Sequence, residues 1–166
     1  MRKKNKKKEI NNKTVNTFII IGIVALIASL VLMFIHNNDT YNHIVSIDYD
    51  KYNEIINSGE YNVILLTSPS CPHCRNYKKY VNRVCDDNKV NIKVYDLNIS
   101  ELDYNQYVDV HDMYSATKDN YNDEGELSIL TPTTVITKSG DEVYSISGDL
   151  GYNGFLNLLK EYQLVE

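Results

Sequence analysis

Two cysteines stand three residues apart at Cys71-Pro72-His73-Cys74, and this is the sharpest chemical signal in the chain. They follow a continuous apolar run, Asn62 to Thr67, and open a helical pattern from Pro72 to about Asp86. That context puts Cys71 at a helix N-terminus, where backbone N–H groups and the dipole favour a negative sulfur. Its thiolate is the expected nucleophile, and Cys74, one turn on, is the expected resolving thiol. Pro72 suits the first helical turn, because its missing N–H would be unpaired there anyway. His73, between the sulfurs, can stabilise the Cys71 thiolate by charge or by hydrogen bond. Lowering a thiol pKa stabilises the reduced form, so the disulfide becomes the stronger oxidant. A structural disulfide and a zinc or copper site are the alternatives. The first braces little chain, and the second lacks further ligands at suitable spacing, since His36, His43 and His111 are scattered. No metal and no cofactor beyond the redox-active disulfide is expected.

Other residues read more plainly. Cys85 lies eleven residues beyond Cys74 and reads as a small buried hydrophobe, with a resolving or regulatory thiol as its alternative. Arg75, Lys78 and Lys79 read as a solvated helix face that could orient acidic partners. The tyrosines at 41, 49, 52, 61, 77, 80 and 95 read as packing residues. The acidic stretch Asp119 to Glu126 lacks the register of a calcium loop and reads as a loop.

The elements that must position Cys71 and Cys74 alternate strand and helix. His43 to Ile47 is a strand candidate. Asp48 caps a helix over Tyr49 to Ser58 that ends at Gly59. Asn62 to Thr67 fits a strand buried on both faces. Asn91 to Leu97 alternates as a strand does. Ser100 is a candidate cap for a helix containing Leu102, Tyr107, Val108 and Val110. Thr133 to Thr137 and Glu142 to Ser147 form a hairpin around Ser139-Gly140. Phe155, Leu158, Leu159 and Tyr162 mark a last amphipathic helix. The order is β-α-β-α-β-(α)-β-β-α, an α/β class in which the early strands pair in parallel through crossover helices.

The chain has 166 residues and a formal net charge of −5, which leaves room for one ordinary domain and an appendage. Residues 1–35 hold seven Lys/Arg and one acid, whereas the rest is strongly acidic. From Phe18 to Ile35 no residue is charged. With Val15 to Thr17 the run is about 21 residues, roughly 31 Å as a helix, which matches a hydrocarbon core of about 30 Å. The division is therefore a basic cytoplasmic segment at 1–14, a transmembrane anchor at 15–35, a linker at 36–42 and an extracytoplasmic domain at 43–166. The basic run before the span orients the N-terminus inward. A cleaved signal peptide fits less well, because its apolar region is shorter and ends in small residues. An acidic domain repels phosphate, so nucleic acid is not an expected partner. Outside the cytoplasm, disulfides form and persist.

The sequence resembles thioredoxin-fold thiol–disulfide oxidoreductases over about residues 43–164. Val63 to Thr67, Cys71-Pro72-His73-Cys74 and Thr131-Pro132-Thr133 carry the resemblance. It implies a thioredoxin fold, a central mixed sheet flanked by helices. It implies that Pro132 is a cis-proline facing the sulfurs, and that the backbone of Thr131 pairs with bound substrate. Gly148 falls where such proteins often have glycine. The Pro-His dipeptide is that of DsbA-like oxidants, which implies donation of disulfides to exported cysteine-containing proteins or peptides, with a membrane redox partner to reoxidise the pair. The length is closer to thioredoxin, and membrane-tethered relatives include proteins like bacteriocin-transport accessory proteins. Two positions depart from the pattern. Leu65 stands where many relatives bury an acid, so the Cys74 proton must use water or another group. Ser70 replaces an aromatic residue. A reductase or isomerase is the nearest alternative, mildly favoured by Thr131. A non-catalytic accessory subunit of a secretion system is another, and metal trafficking a further one.

Overall fold

A computed structural model describes residues 19–29 and 41–165, except 89 and 91. Residues 19–29 are helical (α1), and Ile19, Ile20, Ile23, Leu26 and Ile27 on it are exposed. Among the described residues no helix is long and apolar enough to cross a membrane. The remainder of the expected 15–35 span, and the basic segment before it, lie outside the described residues.

From Tyr41 onward the chain folds as a separate unit. Its elements are β1 (Ile44–Ile47), α2 (Tyr49–Ile56), β2 (Tyr61–Thr67), α3 (Pro72–Asp87), β3 (Val94–Asn98), a 3-10 turn (Ile99–Glu101), α4 (Tyr104–Met113), β4 (Thr133–Lys138), β5 (Asp141–Ser147) and α5 (Gly151–Glu161). The five strands form one sheet in the order β1-β3-β2-β4-β5. β3 lies parallel to both β1 and β2, whereas β4 is antiparallel to β2 and to β5. The parallel pairs need the crossover helices that the pattern supplies. The last pair closes at Ser139 and Gly140, whose φ of 54° and 90° give the two left-handed residues of a tight hairpin turn.

β2 is central, which explains its unbroken apolar run: Asn62 to Thr67 are all buried. Alternate residues of the sheet feed two cores. Val63, Leu65, Val94 and Ile136 meet Tyr77, Val81, Val84 and Phe155 on the α3 and α5 face. Ile64, Leu66, Leu97 and Val135 meet Tyr52, Ile56, Val110 and Tyr114 on the other.

Asp48 caps α2 as its sequence position predicts, accepting from the Lys51 N–H. The cap of α4 differs from the Ser100 expectation. Ser100 lies inside the 3-10 turn, and Asp103 caps α4 through a reciprocal capping box with Gln106. Both sites offer a short polar side chain. Only Asp103 has a Gln three residues on to answer it.

Candidate functional site

The site is built where β2 ends and α3 begins. Thr67 closes the strand, Ser68 to Ser70 cross over, and Cys71 becomes the N-cap of α3. Cys71 and Cys74 form a disulfide with Cα atoms 5.4 Å apart. Their surroundings are unequal. Cys71 is half-buried, whereas Cys74 is 2% exposed beneath the first helical turn. The Cys74 N–H points at the Cys71 Sγ from 3.1 Å, the contact a helix N-terminus gives its capping group. It stabilises negative charge on Cys71.

A second chain segment comes up against the same sulfur. The Thr131 carbonyl oxygen lies 3.3 Å from the Cys71 Sγ, and the Thr131–Pro132 peptide bond is cis. Pro132 is buried and Thr131 half-buried. The segment is fastened from both sides. Gly148 donates its N–H to the Pro132 carbonyl at 2.7 Å, with a φ of 109° that L side chains rarely adopt. The Thr133 hydroxyl donates to the Leu130 carbonyl at 2.6 Å and faces the Ser147 hydroxyl at 2.7 Å.

Of the residues singled out in the sequence, the structure thus brings together Cys71, Cys74, Thr131 and Pro132. Pro72 occupies the first position of α3. His73 is exposed beside it, and no hydrogen bond of its ring is found among the described residues. Cys85 is fully buried in the core against α5, and burial pushes its thiol up to about 11. Among the described residues, no group of three or more His, Cys, Asp or Glu is arranged to hold a metal.

Lys78 departs from the solvated face expected of it. Its side chain is 19% exposed and its Nζ lies 2.5 Å from the Asp96 carboxylate, itself 7% exposed. The Thr67 hydroxyl donates to the other oxygen of Asp96 at 2.6 Å. Asp96 sits opposite Leu65 in the β2–β3 register, so a buried acid is present one strand away from the position where Leu65 lacks one. A cavity of about 450 Å³ opens over this group, bordered by Thr67, Pro69, Lys78 and Asp96 and by acids at Asp48 and Glu101.

No family model matches the sequence, and no curated protein matches it either. The fold has many counterparts among solved structures. Thioredoxin f2 of Chlamydomonas reinhardtii superposes with a TM-score of 0.56 at 10% identity, covering 74% of this chain and 99% of its own. Thioredoxin O2 of Arabidopsis thaliana, solved in its oxidized state, gives 0.51 at 13% identity, covering 72% and 93%. The J-Trx1 fragment of ERdj5 gives 0.54 at 16% identity over 75% of this chain, which spans about half (51%) of that fragment. These likenesses establish a thioredoxin fold for the domain.

Proposed function

We propose that the chain is a membrane-anchored extracytoplasmic thiol–disulfide oxidoreductase that forms disulfides in exported cysteine-containing proteins or peptides through Cys71 and Cys74. The unequal placement of the two sulfurs supports the thiol–disulfide exchange in this reading, since Cys71 is half-buried with a helix N–H directed at it and Cys74 is enclosed, and the Pro72-His73 dipeptide between them supports the oxidising direction. A substrate thiolate attacks the Cys71 Sγ. The Cys71–Cys74 bond breaks, Cys74 leaves as thiolate, and a mixed disulfide joins substrate to Cys71. A second substrate thiolate then displaces Cys71, which leaves as a thiolate stabilised by the N-terminus of α3 and by His73. The substrate has lost two electrons and the pair has gained them. A membrane redox partner takes them up. Thr131 and Pro132 border Cys71 and offer backbone to a bound substrate strand. The uncharged run at 15–35 supplies the anchor, and the exposed isoleucines of α1 fit lipid contact.

The Thr131 carbonyl favours a second reading. It gives the Cys71 thiol an acceptor, which stabilises thiol against thiolate and draws the potential toward that of a reductase or isomerase. The reduction potential separates the two. Thioredoxin lies near about −270 mV and the DsbA oxidant near about −120 mV, a gap of roughly 7 kcal/mol for two electrons. The full chain in detergent is equilibrated with glutathione buffers, and its alkylated thiols are counted by mass spectrometry. About −120 to −160 mV is expected. About −250 mV or lower refutes the oxidant and leaves the reductase.

A further inference from the structure

Lys78 stands four residues after Cys74 on α3, and the cavity over its ion pair with Asp96 opens where β1, β2 and β3 end. Among the described residues, no other Lys or Arg is paired with a carboxylate in so enclosed a position. Enclosing such a pair is weak evidence for stability, since the desolvation of both charges offsets their attraction. Its place in the fold gives it another use. Lys78 follows Cys74 by one helical turn, a spacing that sets two side chains on the same face of α3 with Cβ atoms about 5–6 Å apart. Cys74 is 2% exposed, so a thiolate formed there has little water to stabilise it.

We propose that Lys78 and Asp96 set the protonation of Cys74, with Lys78 as the charge that stabilises its thiolate and Asp96 as the partner that fixes and offsets that charge. The proposal deepens the oxidoreductase reading and rests on it. When the Cys71–Cys74 bond breaks, Cys74 carries the leaving electron pair, and its proton then comes from water. In the reverse direction, the Cys74 thiol loses its proton before its sulfur attacks a mixed disulfide on Cys71. The cavity is large enough to hold water over Lys78 and Asp96. The other titratable groups beside Cys74 on α3 are Cys71, His73, Arg75 and Tyr77; Asp48 and Glu101 border the cavity over Lys78 and Asp96, and Asp149 acts on Tyr77. The nearby ends of β2 and β4 contribute only threonine hydroxyls.

The test follows a single turnover of the reduced full chain in detergent with dithionitrobenzoate. The Cys71 thiolate attacks the aromatic disulfide and releases one nitrothiolate, leaving a mixed disulfide on Cys71. Cys74 then loses a proton and attacks Cys71, closing the bridge and releasing the second. Two electrons pass to the reagent, and the second release reports Cys74. Lys78→Gln is expected to displace the pH profile of the second release to higher pH, with a rate about ten-fold lower near neutrality. Asp96→Asn is expected to displace it to lower pH. Lys78→Arg is expected to keep the original profile, and the first release to change less than about two-fold in all three. Damage to packing alone would move all the variants in one direction. Equal profiles, displacement in the same direction, or a Lys78→Arg profile matching that of Lys78→Gln overturns the assignment. If Asp96→Asn does not fold, the two Lys78 variants decide. A wild-type chain that gives the first release and never the second overturns the oxidoreductase reading itself.

Discussion

Cys85 offers a quantitative test of which thiols take part. It stands three turns beyond Cys74 on α3, about 16 Å away at the helical rise. A disulfide needs Cα atoms within about 7 Å, so Cys85 cannot resolve a bond at Cys74 while α3 is intact. Its side chain is fully buried among Val81, Val84 and Phe155, and burial pushes its thiol up to about 11. An ordinary cysteine titrates near about 8.5. At pH 7 the thiolate fraction of Cys85 is thus about 1 in 10,000, against about 1 in 30 for a free thiol. Ionisation alone slows its alkylation about 300-fold, and exclusion of the reagent slows it further. The reduced chain is pulsed with iodoacetamide at pH 7, quenched, and each cysteine followed by mass spectrometry. The expected order is Cys71 first, Cys74 later, and Cys85 only after denaturant is added. Labelling of Cys85 in the folded protein within about ten-fold of Cys71 would refute the reasoning and restore a reactive third thiol.

Replacing Cys71 with Ala is expected to reduce thiol exchange to background. Cys74→Ser is expected to trap substrates as mixed disulfides on Cys71, visible as adducts on non-reducing gels; full function of Cys71→Ala in cells would instead mark a non-catalytic accessory protein. Stability should fall in alkali. Burial raises Cys85 to about 11 and holds Tyr52, Tyr77 and Tyr114 above the ordinary tyrosine value, so the unfolded chain releases these protons first. The loss begins near about pH 8.5, reaches about 3 kcal/mol from Cys85 by about pH 11, and steepens above about pH 10 as the tyrosines of the unfolded chain ionise. Urea midpoints across this range check it, with Cys85→Ala expected to flatten the fall below about pH 10. Asp103→Ala is expected to cost about 1 kcal/mol through loss of the α4 cap, and Ser100→Ala much less; equal losses would contradict the capping box.

Much of this architecture was legible because the features that specify it are local. The run Asn62 to Thr67 carries its own statement that both faces are covered, and the structure places it at the centre of the sheet. Ser139-Gly140 specifies a tight hairpin through its own backbone preferences, and Asp48 finds its N–H three residues on. Cys71 and Cys74 needed only three residues of spacing and a helix start. Ser100 misled because two polar residues three apart offer the same cap, and the choice fell to the Gln that follows Asp103. The contacts joining separate parts of the chain were less visible. Nothing local to Lys78 separates it from Arg75 and Lys79, and its burial depends on a strand 18 residues further along. A signal was nonetheless present: Asp96 shares the inward phase of its strand with Val94, where an acid is costly without a partner.

That distribution bears on how the direction of electron flow is set. The helix N-terminus and the Thr131 carbonyl act on Cys71 in opposite senses, the first favouring thiolate and the second thiol. Both are backbone groups, so any side chain at 131 that keeps this loop supplies the same carbonyl, and any helix begun at Cys71 supplies the same N–H. What side chains can tune lies elsewhere: His73 two residues from Cys71, and Lys78, one turn beyond Cys74, with its partner Asp96. A full unit charge added or removed near a desolvated sulfur shifts its proton affinity by about one to three pKa units, and each unit is about 1.4 kcal/mol. For a two-electron couple that is about 30 mV per unit. The roughly 150 mV between a reductant and an oxidant thus equals about five such units, more than His73 alone supplies. The charge of His73 alone therefore does not span that gap, and the α3–β3 ion pair is proposed as a further contribution.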